Sequence, residues 1–124
     1  MELNRHVKMT RYHCMIDLKP NANELAFARA VALWFGILQA AGKLSGWHLS
    51  RRKLRLAGAG FGDFLLVVEF DDMAQMDRAF AHLAEGDHTA AQAYSQMHGM
   101  IDRAEAGLYR PYPDPMPVER LSLI

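Results

Sequence analysis

An α+β fold, with one antiparallel sheet and its helices on a single face, is predicted by three features of this 124-residue sequence. Two segments, Tyr12 to Leu18 and Asp63 to Phe70, alternate or concentrate apolar side chains as strands do. A nearly uncharged apolar stretch from Leu25 to Leu38 follows the first of them at helical spacing. The full order of elements reads β-α-β-β-α-α-β, a split β-α-β arrangement.

The elements follow in chain order. Residues 1–10 are polar and aperiodic, a leader before the domain at 11–110. In the first strand Tyr12, Cys14, Ile16 and Leu18 alternate with His13, Met15 and Asp17. Pro20 ends it, and Asn21 or Asn23 is placed to cap the first helix by accepting a free backbone N–H. Phe27, Val31, Trp34, Leu38 and Ala41 form its main stripe, Leu33 and Ile37 fall on another face, and Gly42 suits the left-handed turn beyond its end.

A second strand is predicted from Trp47 to Leu56, with the basic run Arg51-Arg52-Lys53-Leu54-Arg55 inside it. Gly58-Ala59-Gly60-Phe61-Gly62 is then a hairpin connector. A phosphate cradle would need a helix after these glycines, and a strand follows. Asp71 or Asp72 caps a second helix with Met73, Met76, Phe80 and Leu83 on one stripe, which Glu85-Gly86-Asp87 ends. The third helix is expected to carry Ala90, Tyr94, Met97, Ile101 and Ala104 on one face, leaving Gly107-Leu108-Tyr109 as a short last strand. Prolines at 111, 113, 115 and 117 enforce an extended tail over 111–124, whose apolar end is expected to dock on the body, bracing the first helix, or on a partner.

Composition narrows the function. With 51% apolar and 23% charged residues the chain is of ordinary globular make-up. Fourteen basic side chains balance 14 acidic ones, so no overall field draws in nucleic acid or an anionic membrane. A lone cysteine, Cys14, excludes an internal disulfide and fits a reducing compartment. With no apolar leader and no stretch long enough to span a bilayer, a cytoplasmic location is expected.

The strand residues sort into two sets. Cys14, Ile16, Leu18, Phe64, Leu66, Val68, Phe70 and Leu108 are assigned beneath the helices. The opposite set holds His13, Met15, Asp17, Leu65, Val67, Glu69 and Tyr109. Met15, Leu65 and Val67 make a poor surface to leave in water, and burying them is worth on the order of 5–8 kcal/mol before ordering costs. A second copy of the chain laid across this face is the economical cover, so a homodimer is expected.

The element order, the capped apolar helix and the closing Gly107-Leu108-Tyr109-Arg110-Pro111-Tyr112-Pro113-Asp114-Pro115 resemble an uncharacterised bacterial family of the dimeric α+β barrel group. The resemblance runs from Tyr12 to Ile124 and implies a ferredoxin-like domain that pairs through its sheet. The group includes antibiotic-biosynthesis-type monooxygenases and haem-degrading enzymes. The resemblance therefore also implies, as an alternative, a cofactor-independent oxygenase acting on an aromatic or polyketide-like substrate. Such a fold hosts unrelated activities, and no haem-ligand or catalytic motif is present in the sequence to carry over.

His13, Asp17, Glu69 and Tyr109 are the candidate polar groups of a site between two sheets, with Met15, Leu65 and Val67 as its apolar walls and a small apolar or aromatic molecule as its ligand. In that site His13 or Glu69 is the candidate base. The competing reading has these side chains hydrogen-bonded to one another or to solvent at a rim, in a purely structural dimer. The basic run in the second strand is read as charge protecting a sheet edge rather than as an anion site. Cys14 and His13 point to opposite faces and cannot form a dyad; Cys14 is an inert core residue. His82, His88 and His98 lack metal-ligand spacing, and the eight methionines are core filler, so neither a metal nor a cofactor is expected.

Overall fold

The computed structural model describes residues 9–54, 56, 58–82 and 88–113. The expectations for the leader before Met9, for Leu83 and the Glu85-Gly86-Asp87 break, and for the tail beyond Pro113 lie outside them. The elements are β1 (Thr10–Leu18), α1 (Glu24–Ala40), β2 (Gly46–Arg51), β3 (Phe64–Phe70), α2 (Met73–His82), α3 (His88–His98) and β4 (Ile101–Tyr109). The four strands form one antiparallel sheet in the order β2-β3-β1-β4. No helix among the described residues is long and apolar enough to cross a membrane.

The order follows from local chemistry. Asn23 caps α1, its Oδ1 accepting the Ala26 N–H at 2.9 Å. Gly42, at φ +72°, takes the left-handed turn after it and donates its N–H to the Gln39 carbonyl. Asp72 caps α2 through the Gln75 N–H at 2.8 Å, while the buried Gln75 Oε1 reaches back to accept the Asp71 N–H at 2.6 Å. This reciprocal pair satisfies two backbone donors that a helix start leaves unpaired.

The core lies between the sheet and the helices. Phe27, Ala30, Val31, Trp34, Phe35 and Leu38 of α1 meet Cys14, Ile16, Phe64, Leu66, Val68 and Phe70 of the sheet. Met76 and Ala79 of α2, with Ala90, Ala93 and Met97 of α3, complete it. Aromatic rings interlock throughout: Phe27 with Phe64 at 5.3 Å, Trp34 with Tyr94 at 5.4 Å and Phe35 with Trp47 at 6.1 Å between centroids.

Four expectations are corrected. The third helix does not run on to Ala104. It stops at His98, where the Gly99 N–H bonds the Ser95 carbonyl, and Ile101–Tyr109 forms a nine-residue strand along β1. Alanine, glutamate and arginine favour helix locally, but pairing along the whole of β1 overrides them. The second strand ends at Arg51 rather than Leu56, because Leu54 adopts φ +60° and the chain turns away. On α2 the buried side chains are Gln75, Met76 and Ala79, whereas Phe80 is 55% exposed and leans edge-on against Tyr12 at 6.1 Å. Leu108 lies opposite Tyr12, on the helix side as expected, yet is half exposed because β4 is an edge strand.

Two substitutions test this core and its caps. Phe27→Ala, at a fully buried position, is expected to cost about 3–5 kcal/mol, and Asp72→Ala about 1 kcal/mol. Urea unfolding followed by circular dichroism reads both.

Candidate functional site: the helix-free face of the sheet

The three helices among the described residues pack on one side, so the other face of the sheet carries no helix among them. Strand pairing lays it out in rungs. Tyr109, Arg11, Glu69 and Gly46 form the first; Gly107, His13, Val67 and His48 the second; Glu105, Met15, Leu65 and Ser50 the third. Arg103 and Asp17 begin a fourth, beside the β2–β3 connection. Directly opposed residues on antiparallel strands share a face. His13, Asp17, Glu69, Tyr109, Met15, Leu65 and Val67 therefore all lie here.

The middle of the face is apolar. Met15, Leu65 and Val67 occupy adjoining positions on the two central strands and are only partly buried by their own chain. His13 stands among them. Its ring meets that of Tyr109 at 4.7 Å, edge-on, and Gly107 makes that contact possible. A Cβ on Gly107 would come within 3.3 Å of the tyrosine ring, so the missing side chain leaves the space that the diagonal aromatic fills.

Polar groups occupy both ends. Glu69 lies 3.2 Å from His48 Nε2 and 3.7 Å from Arg11 Nε, so its carboxylate is shared between two neighbours. Arg103 pairs with Glu105 on the β4 edge. Asp17 is engaged in the fold: its Oδ1 accepts the Asp63 N–H at 2.9 Å and fixes the start of β3 to the end of β1. The structure thus brings His13 and the apolar trio together at the centre, with the Tyr109 ring reaching His13 from the β4 edge, Glu69 at one end and Asp17 in a structural bond at the other.

Arg11 and His48 belong to this face and were not singled out in the sequence. His48 shows the same alternation as His13, between Trp47 and Leu49, but a strand with charge on both faces gives no register to read.

Elsewhere, other groups are accounted for by local partners. Arg51 makes a bidentate pair with Glu24 at 2.8 and 3.0 Å, which lowers the glutamate's pKa and raises that of the arginine. Arg52 binds Asp63 at 3.0 Å. The open cleft of about 580 Å³ lined by Arg51, Arg52, Leu54 and Asp63 therefore offers guanidinium groups that already have carboxylate partners. His98 stacks on Tyr94 at 5.2 Å. No cluster of metal-ligating side chains occurs among the described residues.

Cys14 is buried at 7% exposure on the helix side, opposite in direction to His13. Burial raises its pKa above the ordinary 9.0. Tyr12 is raised too, by burial first and then by Cys14 and Tyr94. Because the folded thiol resists ionising, its contribution to stability is complete below the unfolded thiol's pKa and is lost as pH rises through the folded one. Cys14 is accordingly expected to react with a thiol reagent at pH 8 only on unfolding. Labelling as fast in buffer as in denaturant would contradict this placement.

Comparison with known proteins gives the following. Residues 9–124 match a family described as a family of unknown function, DUF6614. No functionally curated protein matches the sequence. Among solved structures, a dimeric ferredoxin-like protein of unknown function from Thermobifida fusca YX is 18% identical, with a TM-score of 0.58 over 83% of this chain and 91% of that one. A second dimeric ferredoxin-like protein of unknown function, from Jannaschia sp. CCS1, is 11% identical, with a TM-score of 0.61 over 83% and 99%. A variant of SnoaB, a cofactor-independent oxygenase from Streptomyces nogalater, is 10% identical, with a TM-score of 0.64 over 87% and 97%. At these identities the likeness is one of fold, and that fold is ferredoxin-like.

Proposed function

The chain belongs to the DUF6614 family, whose function is unknown, and from that premise we propose that it is a homodimer binding a small apolar or aromatic ligand between two facing sheets. One observation carries the reading. Met15, Leu65 and Val67 form a continuous apolar band across the centre of the face that the chain's own helices leave open, with polar groups at both ends. Apolar patches of this kind mark interaction surfaces, and a two-fold partner covers such a patch with itself. Relatives of the same fold described as dimeric support it.

Two sheets pack about 10 Å apart. His13 of each copy then faces the gap from the middle of the sheet, with the Tyr109 ring against it from the β4 edge, and a few polar groups amid apolar walls suit a small ligand. Glu69, held by Arg11 and His48, borders the gap at one end, and Asp17 contributes by anchoring the other. Light scattering at micromolar concentration is expected to give twice the chain mass, and Leu65→Glu to shift it to the monomer. A monomeric wild type would refute the pairing. With the dimer in hand, an inter-sheet cavity below about 100 Å³ would leave a purely structural assembly, since ligand sites run from roughly 300 Å³.

A second reading, a cofactor-independent oxygenase, is favoured by His13. It is the titratable group central to the face, it is flanked by apolar side chains, and SnoaB shares the fold. In this reading His13 accepts the proton of an aromatic hydroxyl, and the substrate's own electrons reduce dioxygen. Oxygen consumption with a dihydroxy-aromatic substrate, falling at least about 100-fold in His13→Ala, is the expected outcome. Uptake equal in the variant and the wild type removes His13 from the chemistry.

A further inference from the structure

We propose that the connection between β2 and β3 is a clasp that reaches a second copy of this chain, with Phe61 closing one end of the space between the two sheets. The inference rests on the face-to-face pairing proposed above and adds a contact outside the sheets themselves, through which each copy supplies a side chain to the other's site.

Antiparallel neighbours need only about two to five residues to join them. Residues 52–63 join β2 to β3, and long connections in compact domains are usually functional. This one carries Leu54 at 91% exposure, Leu56 at 83% and Phe61 at 57%. Three large apolar side chains held in water on one connection call for cover.

The base of the connection is anchored. The Arg52 N–H donates to the Asp63 carbonyl at 2.8 Å, the Arg52 guanidinium to the Asp63 carboxylate at 3.0 Å, and the Asp63 N–H to Asp17 at 2.9 Å. Gly62 lies so close to β1 that a Cβ would stand 2.8 Å from the Ile16 nitrogen. Leu54 holds a left-handed φ of 60°, a conformation unfavourable to leucine. The apolar groups are thus presented from a fixed base.

Their direction follows from what the connection touches. Residues 59–62 wall a small crevice with Met15, Asp17, Arg103 and Glu105, all on the helix-free face. Residues 59–62, Phe61 among them, therefore lie on the side away from the helices, beside the position where a facing sheet would lie about 10 Å off. Lining the same crevice as Met15, Phe61 extends the apolar band of Met15, Leu65 and Val67 toward the end of the face. A second copy is the occupant this continuity favours. An anionic surface is disfavoured, because Arg51 and Arg52 are already bound by Glu24 and Asp63.

Sedimentation equilibrium on the full chain tests the clasp. The triple variant Leu54→Ser, Leu56→Ser and Phe61→Ser is expected to weaken the dimer at least thirtyfold without changing the melting temperature of the monomer, since all three side chains are exposed there. p-Benzoylphenylalanine placed at Phe61 is expected to give a covalent dimer on irradiation. A wild type that dimerises, is broken by Leu65→Glu, and keeps its affinity in the triple variant overturns the clasp and leaves the pairing intact. A wild type that never dimerises overturns both. Photoproducts confined to single chains within a dimeric sample overturn the clasp alone.

Discussion

One-sided packing is the constraint on which this molecule turns. Among the described residues three helices gather on one face of a four-stranded sheet, and the central strand β3 is apolar on both faces. Phe64, Leu66, Val68 and Phe70 point into the core while Leu65 and Val67 point the other way, so β3 has almost no polar side. A strand of that kind is built to be buried twice. The helices among the described residues bury it once.

The same constraint divides the chemistry. Groups on the helix side are sequestered, as the raised pKa of Cys14 records. Groups on the open side remain available, and they are graded: apolar in the centre, with His13 and Tyr109 in contact there, and carboxylates and guanidinium groups at the ends. The fold thus separates a sequestered half from an open half across the thickness of one sheet.

Much of this was legible in the sequence. DFLLVVEF over 63–70 reads as a strand because β-branched and aromatic residues dominate it. The first helix is bracketed by Asn23 and Gly42, which do in the structure what their side chains, or the lack of one, predict. Once β1 and β3 were placed, alternation put six of the seven candidate site residues on one face, and the short stretch Gly107-Leu108-Tyr109 added Tyr109 to it. Of the last strand only Gly107-Leu108-Tyr109 was legible, and its start was not. Ala104, Glu105 and Ala106 are helix formers on an exposed edge, so no apolar period marks them, and the stripe of α3 continues past Gly99 in helical register by coincidence. His48 escaped notice for a related reason: its strand has no consistently apolar face, and only pairing with β3 fixes where each residue points.

The sheet's borders carry a last consequence. Among the described residues β2 and β4 are the outer strands, and both are dotted with charge: Arg51 on one, Asp102, Arg103 and Glu105 on the other. Lateral addition of a further strand would force these groups against a neighbour's backbone and strip them of water. Open-ended ribbon growth is thereby penalised, and whatever copies of this chain meet are steered toward a finite assembly rather than a fibre.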